Sequence, residues 1–327
     1  MQCDGNVKES SLIDIHVHAP PFEAIDLRGG EKFRLKETLA LKYFKYRLGI
    51  ESNDSNPSKT YLDKLAKEII GSKRVEKAVL LPLDGVYGES GRIDAQRTRF
   101  MVSNDLILQW AGEYEVFIPA CSINPFRRDA IEELERCASM GAALNKVLPN
   151  TQGFDPLDKR LKPFWRMMSE LKMPLLTHAG FEFALKTINN AYGNPARFLP
   201  ALEEGVSVIL AHGGSAGVFF PELYFDKVRS MLKAYPNLYI DTSAVTLPTR
   251  MGIVKKLLKI EGIDKRLVFG TDYPVPAFAL PLLTHLKMKD YLEARRNSNY
   301  FDFSCEVLER LGLKFDRKVA ASLLRAG

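Results

Sequence analysis

The eight residues from Ser11 to His18, SLIDIHVH, predict the first strand of a parallel sheet. They form a short, mostly apolar run that ends in polar residues. Seven similar runs follow along the chain, namely KAVLLPLD from Lys77, EVFIPACSIN from Glu115, AALNKVLP from Ala142, PLLTHAG from Pro174, VSVILAHGG from Val206, LYIDTSA from Leu238 and RLVFGTDYP from Arg266. Each run ends in polar residues or in Gly and Pro, as strands bounded by loops do.

Amphipathic helical stretches separate these predicted strands. The clearest are RDAIEELERCASMG, KPFWRMMSELK, NPARFLPALEEG and FDKVRSMLKAYPN. After a longer first interval, successive strands begin about 27 to 38 residues apart. Eight such units predict an α/β protein with a closed (β/α)8 TIM barrel. No GxGxxG follows the first strand, which counts against an open, dinucleotide-binding sheet.

The first interval is about twice as long as the others. Its excess, residues 19–74, predicts a helical insertion in the first β-to-α loop, around the polar stretch ESNDSNPSK. Loops of this type lie on the C-terminal face of a barrel, where active sites are found. The tail NYFDFSCEVLERLGLKFDRKVAASLLRAG predicts two closing helices. Since no Pro-, Gly- or Ser-rich linker divides the chain, we expect one domain over residues 1–327.

The composition is that of a globular protein, with 46% hydrophobic and 26% charged residues in 327. The net charge of +6 is mild, and without a zinc finger, an RNA motif or a Lys/Arg tract we expect no nucleic-acid partner. No apolar run reaches the roughly 18 residues of a membrane span. The four cysteines are far apart, and the N-terminus lacks the apolar core of a secretory signal. These features predict a cytoplasmic location without disulfides or a thiolate zinc site.

The placement of the histidines carries the chemical information. His16 and His18 close the first predicted strand, His178 closes the fifth and His212 the sixth, and Asp272 closes the eighth. Strict alternation along a strand predicts that His16 and His18 share the inner face of the barrel, with Asp14 one step deeper. Two imidazoles at i and i+2, another from the opposite wall and a nearby carboxylate suit Zn²⁺ or another divalent transition metal.

The motifs IDIHVH, LLTHAG, ILAHGG and VFGTDYP extend from the first strand to the eighth. In them the chain resembles the amidohydrolase superfamily, specifically the amidohydrolase-related metal-dependent hydrolases that include the aminocarboxymuconate-semialdehyde decarboxylase type. The resemblance implies one metal ion, held by His16, His18, His178 and Asp272. Zn²⁺ is favoured, and Mn²⁺ or another ion stays open. It further implies that His212 acts on the substrate or its water, and Asp272 is also expected to take a proton during catalysis.

Other polar residues near strand ends are weaker candidates. Lys146 lies where some branches of the superfamily carry a carboxylated lysine that bridges two metals; contact with a substrate carboxylate or a salt bridge in the barrel is favoured. Arg250 and Tyr273 are candidate substrate contacts, Arg250 because its fork matches a carboxylate. Asp14 is either a partner of a metal ligand or a buried structural carboxylate. Structural roles are favoured for the remaining residues of this kind, which are Asp84, Asn124, Ser243 and the helical His285.

We therefore expect an enzyme that hydrolyses a small ester, lactone or amide, in which a metal-activated water attacks a substrate that bears a carboxylate. The alternative is a non-oxidative decarboxylase of an unsaturated or aromatic acid, which would need the same residues. A non-catalytic binding barrel is the third hypothesis, and the loss of a ligand would be its sign; none is lost. The expected partner is an anionic small molecule, and assembly into a homo-oligomer is left open.

The segment from Glu31 to Leu48 carries six Lys and Arg residues against two Glu. Leu35, Leu39 and Tyr43 recur at helical spacing, so the segment predicts a helix with one apolar stripe. Five of these six basic residues (Lys32, Lys36, Lys42, Lys45 and Arg47) occupy the other faces. We interpret it either as a solvated helix beside the barrel or against another subunit, or as a lid whose charge attracts an anionic substrate.

Overall fold

The computed structural model describes residues 11–20, 22, 42–43, 45–98, 100–183, 185–217, 222–250, 252–283 and 288–324. Eight parallel strands confirm the predicted strand positions. They are β1 (Leu12–His18), β2 (Val75–Leu81), β3 (Phe117–Pro119), β4 (Asn145–Val147), β5 (Leu175–Thr177), β6 (Val208–Leu210), β7 (Leu238–Asp241) and β8 (Leu267–Val268). Hydrogen bonds pair them in sequence order as β1-β2-β3 and as β4-β5-β6-β7-β8.

Backbone hydrogen bonds beyond the strand ends close these two groups into a barrel. Between β3 and β4, the Lys146 amide donates to the Cys121 carbonyl at 2.7 Å. Between β8 and β1, the Ile15 amide donates to the Phe269 carbonyl at 3.0 Å, and the His18 amide donates to the Tyr273 carbonyl at 2.9 Å. The predicted (β/α)8 barrel is thus confirmed.

Helices cover the outside of the barrel. The α-helices among the described residues are α1 (Pro57–Ile70), α2 (Asn104–Glu113), α3 (Ala130–Ser139), α4 (Pro149–Gln152), α5 (Lys162–Glu170), α6 (Leu199–Glu203), α7 (Phe225–Ala234), α8 (Gly252–Leu257), α9 (Leu280–Leu283), α10 (Met288–Ala294), α11 (Tyr300–Arg310) and α12 (Arg317–Leu324). Short 3-10 helices lie at Lys159–Leu161, Asn190–Gly193, Pro195–Phe198, His212–Gly214 and Ile263–Lys265. The two predicted closing helices are α11 and α12, while the single domain over residues 1–327 stays a prediction.

An apolar layer fills the barrel below the strand ends. It consists of inward side chains from the strands, namely Ile13, Ile15, Val79, Leu81, Ala120, Leu144, Leu176, Ile209, Ala211 and Val268. Leu323 and Leu324 of α12 pack against this layer. Because the layer fills the interior, polar groups that follow it toward the C-terminal ends of the strands meet at one end of the barrel.

The predicted insertion is described in part. Its second helix is α1, and residues 42–43 and 45–47 are helical. Leu35, Leu39, Lys32 and Lys36 lie outside the described residues, so the lid and the scaffold both stay predictions. The described end of the segment reaches the barrel, since the Arg47 guanidinium donates to the Pro274 carbonyl at 2.6 Å. None of the described helices is both long and apolar enough to cross a membrane.

Candidate metal centre

A β-bulge in β1 turns two histidines into the barrel. Asp14 pairs with Ala78 and Val17 pairs with Leu80, so residues 15 and 16 together lie opposite the single residue 79. The extra residue shifts the alternation of side chains by one position. Ile15 belongs to the inner apolar layer, and His16 and His18 also face the inside of the barrel.

The predicted position of Asp14 on the same face as His16 and His18 is wrong, because the bulge breaks strict alternation. The Asp14 carboxylate instead accepts hydrogen bonds from the Thr271 hydroxyl at 2.6 Å and from the His16 amide at 2.9 Å. Burial raises the pKa of Asp14 to about 7, although the Thr271 hydrogen bond acts in the opposite direction. Asp14 is therefore a buried structural carboxylate that fastens β1 to the residues after β8.

Nitrogen and oxygen donor atoms converge at the C-terminal ends of the strands. The imidazoles of His16 and His212 and the carboxylate of Asp272 each offer one atom, and these atoms lie within 4.8 Å of one another. Asp272 Oδ1 lies 3.2 Å from His16 Nε2 and 2.9 Å from His18 Nε2. Ligand atoms around one ion with bonds of about 2.0 to 2.2 Å are roughly 3 to 3.5 Å apart, so the spacing fits a metal site.

His178 adjoins this cluster from β5. Its Nδ1 atom lies 3.1 Å from Nε2 of His212. Its Nε2 atom is buried and has no hydrogen-bond partner among the described residues. Because an unpaired buried nitrogen is costly, its lone pair fits a ligand that the polypeptide does not provide. A divalent metal ion is such a ligand, and nitrogen and carboxylate donors suit it.

Two residues of the cluster adopt left-handed backbone conformations. His212 has φ +60° and Asp272 has φ +68°. Such conformations cost about 1 to 3 kcal/mol for residues other than glycine, and they concentrate at functional sites. At His212 the chain leaves β6 and enters a 3-10 helix. The strained turns therefore place these side chains at the end of the barrel.

Burial keeps the imidazoles of His16, His178 and His212 neutral, and neighbouring histidines keep the Asp272 carboxylate charged. Burial lowers the pKa of His16 and of His212 well below the usual value, and it lowers the pKa of His178 to about 3. Burial alone would raise the pKa of Asp272, but His16 and the His18 hydrogen bond outweigh it and hold this pKa below its usual value. Neutral imidazole and ionised carboxylate are the forms that bind metal ions.

Lys146 lies inside the cluster. Its side chain is buried, and Nζ is 3.1 Å from His16 Nε2. Burial lowers the pKa of Lys146 to about 8. Within the described part of the chain no carboxylate forms a salt bridge with Lys146, so the predicted salt bridge in the barrel is not found. Contact with a substrate carboxylate and the bridging role both stay open.

The other candidate substrate contacts lie away from the cavity surface. Arg250 is 8% exposed, its Nε atom has no partner among the described residues, and its charge lowers the pKa of His212 further. The ring of Tyr273 packs in the core, stacked on Phe301 with centroids 5.8 Å apart. The Tyr273 side chain is not part of the described cavity lining, so its position does not support the predicted substrate contact.

Among the remaining candidates, Asp84 and Asn124 have structural roles. Asp84 accepts hydrogen bonds from the amides of Gly85 and Asn124, and the Asn124 amide group donates to carbonyls. The Ser243 hydroxyl lies 2.8 Å from His212 Nδ1 and therefore contacts the cluster. His285 lies outside the described residues.

Sequence reasoning missed two acidic residues. Asp241 ends β7 in LYIDTSA, and its carboxylate lies 2.7 Å from His16 Nδ1. Glu182 Oε2 lies 3.7 Å from His178 Nδ1. Asp241 occupies the same strand-end position as the histidines, and this position is the sequence signal that marks it. Glu182 lies in a loop, where no periodicity marks it.

A cavity of about 220 Å³ opens above the donor cluster. Its polar lining is formed by His16, His18, Lys146, His178, Glu182, His212 and Asp272, which make up its floor. Its walls are apolar, formed by Ala19, Phe22, Leu48, Tyr61, Leu81, Pro82, Leu83, Phe100, Val102, Leu148, Leu185, Pro274 and Val275. Concave, mostly apolar cavities with a few convergent polar groups are typical of small-molecule sites.

A TIM barrel with a His and Asp cluster at the C-terminal ends of its strands has the architecture of a barrel enzyme with a candidate metal site. The family model described as Amidohydrolase matches residues 13–314, and the chain belongs to this family. The family predicted from the motifs is thereby confirmed. A comparison with curated proteins finds no match.

Solved structures share the fold at low identity. A proposed 2-pyrone-4,6-dicarboxylic acid hydrolase from Pseudomonas putida is 13% identical, with a TM-score of 0.58 over 96% of this chain and 97% of that one. A 2,6-dihydroxybenzoate decarboxylase from Rhizobium is 17% identical, with a TM-score of 0.52 over 97% and 99%. A 5-carboxyvanillate decarboxylase from Sphingomonas paucimobilis is 15% identical, with a TM-score of 0.55 over 96% and 99%.

Proposed function

We propose that the protein is a metal-dependent hydrolase of a small ester, lactone or amide. The convergence of His16, His212 and Asp272 at the floor of an apolar cavity carries this proposal. We assign His16, His18, His178 and Asp272 to a single ion, with Zn²⁺ favoured. The unpartnered Nε2 atom of His178 supports its place in this set.

A divalent ion held there supplies Lewis acidity, which lowers the pKa of a water molecule toward 7 and polarises a carbonyl group. The Asp272 carboxylate is charged and can accept a proton from the attacking water. His212 is neutral and can hold or move a proton at Nε2, which faces the cavity floor. The apolar walls exclude competing water from these groups.

The cavity lining indicates the class of substrate. Among the described lining residues Lys146 is the one cationic side chain, and it lies at the floor. A substrate with an apolar body and one carboxylate matches this distribution better than a polyanion. The carboxylate would contact Lys146, and the body would lie against the leucine, valine and phenylalanine side chains of the walls.

Decarboxylation is the second candidate function, and the same cavity gives it a specific argument. Loss of CO₂ converts a charged carboxylate into a neutral molecule, a change that apolar surroundings favour. The proton that replaces CO₂ on the substrate carbon would come from solvent, and His212 could relay it by first accepting it at Nε2. Two of the compared structures have decarboxylase names, but at 17% and 15% identity they show the fold alone.

A substrate panel separates these functions. Metal-stripped protein and protein reloaded with Zn²⁺ or Mn²⁺ would be screened on esters, lactones, amides and aromatic acids, with acid release and CO₂ measured separately. We expect acid release that disappears on chelation and returns on reloading. CO₂ release would establish the decarboxylase, and binding without turnover would support the non-catalytic barrel. Activity that persists after complete metal removal would contradict both enzymatic proposals.

Leu185 provides a test of the apolar wall. It is partly buried and lines the cavity, and replacing it with glutamine should leave the barrel core intact. A lost leucine contact is worth about 1 to 2 kcal/mol, so Leu185→Gln should raise KM for an apolar substrate about 5- to 30-fold. Leu223→Gln is the matched control, since Leu223 is 54% exposed and outside the cavity lining. Equal KM values in the two variants would contradict the proposed substrate position.

A further inference from the structure

We propose that Asp241 is the positioning residue that fixes the ring proton of both His16 and His212. One carboxylate thereby makes each imidazole present a bare Nε2 atom to the cavity floor. The expected effect on metal affinity rests on the proposed function. The ring-proton positions do not, because they are properties of the metal-free protein.

The two oxygens of Asp241 have separate partners. Oδ2 lies 2.7 Å from His16 Nδ1. Oδ1 accepts hydrogen bonds from the His212 amide at 2.7 Å, from the Ser243 amide at 3.0 Å and from the Ser243 hydroxyl. The residue is fully buried at the end of β7, so water does not replace these partners. Three donors on one oxygen stabilise the carboxylate and fix its orientation.

The proton of His16 follows from its neighbours. The Asp241 carboxylate can only accept and lies 2.7 Å from Nδ1; at Nε2 the Lys146 ammonium, a donor, lies 3.1 Å away, while the Asp272 carboxylate is farther, at 3.2 Å. The ring proton of a neutral His16 must then be on Nδ1, from which it is donated to Asp241. The lone pair on Nε2 points to the place where Lys146 and Asp272 meet. This is the form of histidine that a metal ion at the cavity floor requires.

The proton of His212 is fixed through Ser243. The single hydroxyl proton of Ser243 is donated to Asp241, so its oxygen can accept from His212 Nδ1 at 2.8 Å. The Ser243 carbonyl, which can only accept, lies 3.2 Å from the same nitrogen. Nδ1 of His212 is therefore protonated. Nε2 is bare and faces His178.

An amide at position 241 cannot reproduce this arrangement. In Asp241→Asn the side-chain oxygen should face the three donors at Oδ1, because two of them are fixed backbone amides. The amide nitrogen then points at His16 Nδ1 and donates to it. His16 can accept only if its ring proton moves to Nε2. The variant should consequently have a proton on Nε2 of His16, the nitrogen that would bind the metal, and should leave the ring proton of His212 on Nδ1.

The experiment uses metal-free protein labelled with ¹⁵N-histidine. Long-range ¹H–¹⁵N spectra distinguish bare from protonated ring nitrogens, and His16→Gln and His212→Gln variants assign the signals. In the wild type we expect a protonated Nδ1 and a bare Nε2 on both residues. In Asp241→Asn we expect the His16 signals alone to switch. Zn²⁺ affinity, measured by competition with a chelator, should fall about 10- to 100-fold.

Asp14→Asn is the matched control. Asp14 is as fully buried as Asp241, but it lies on β1, and its carboxylate accepts hydrogen bonds from Thr271 and from the His16 backbone amide. This variant should keep both ring-proton positions and bind Zn²⁺ within about threefold of wild type. A protonated Nε2 on His16 or His212 in the wild type would overturn the proposal, even if Asp241→Asn does not fold. An unchanged His16 spectrum in folded Asp241→Asn would also overturn it.

These outcomes are distinguishable from failure of the proposed hydrolase. A protein that binds no metal but has the expected ring protons would contradict the hydrolase and leave the positioning role intact. A metal-dependent hydrolase in which Asp241→Asn leaves the His16 tautomer unchanged would do the reverse.

Discussion

Replacement of His16 by alanine is expected to remove the bound metal and, with it, all measurable turnover. His16 is fully buried, its Nε2 atom lies 3.2 Å from Asp272 Oδ1, and it belongs to the compact donor cluster. Loss of a hydrogen-bond partner of a metal ligand costs roughly 10- to 100-fold in affinity, and loss of the ligand itself should cost more. The metal content, measured by elemental analysis, should fall from about one ion per chain in the wild type to nearly none in the variant.

A folding measurement and two further variants show whether a loss of metal is specific to the ligand. Because His16→Ala leaves a cavity beside buried groups, circular dichroism must first show that it folds. Asp272→Asn removes a ligand charge while conserving shape, and asparagine tolerates the left-handed backbone of residue 272. His285→Ala removes one imidazole outside the motifs and should keep the metal. Wild-type metal content in folded His16→Ala would show that this ligand assignment is wrong.

The metal count also bears on Lys146. One ion per chain fits a lysine that contacts the substrate, and its Nζ atom 3.1 Å from His16 Nε2 places it for that role. Two ions per chain, falling to one in Lys146→Met, would identify the bridging role instead. The sequence alone left this choice open, and the position of Nζ is compatible with both.

The barrel was predictable from the sequence because its signal is repeated. Each of the eight strands lies in a short, mostly apolar run, and a similar spacing recurs along the chain. His178 and Lys146 continue the inward alternation of Leu176 and Leu144, so a strand-end argument places them correctly. Local pattern and overall fold agree at these positions.

The details of the site were not predictable, because they depend on departures from that pattern. The bulge in β1 places both Ile15 and His16 inside the barrel, which no periodic reading of SLIDIHVH allows. His212 and Asp272 adopt left-handed backbone conformations although neither residue is a glycine, so residue type does not mark them. The partnership of Asp241 with His16 joins residues 225 positions apart, and only the closed barrel brings them together.

His212→Asn is expected to retain about one metal ion per chain and to lose roughly 10²- to 10⁴-fold in kcat, the usual contribution of a general acid or base. Four other donors remain, among them His178 with its unpartnered Nε2 atom. Asparagine suits this position because residue 212 has φ +60°. Its amide can also occupy the place of Nδ1 beside Ser243, so the surroundings of the ring should change little.

The matched variant is His178→Asn, which should lose the metal. Position alone does not tell which of the two histidines binds the metal, because Nδ1 of His178 and Nε2 of His212 are only 3.1 Å apart. The compact donor cluster contains His212 rather than His178. Metal content and kcat measured on both variants decide between the two assignments. If His212→Asn is metal-free and His178→Asn keeps its ion, then His212 is the ligand and the acid–base role must be assigned to another group. Metal retained in both variants, with kcat lost only in His212→Asn, would mean that His16, His18 and Asp272 suffice to hold the ion.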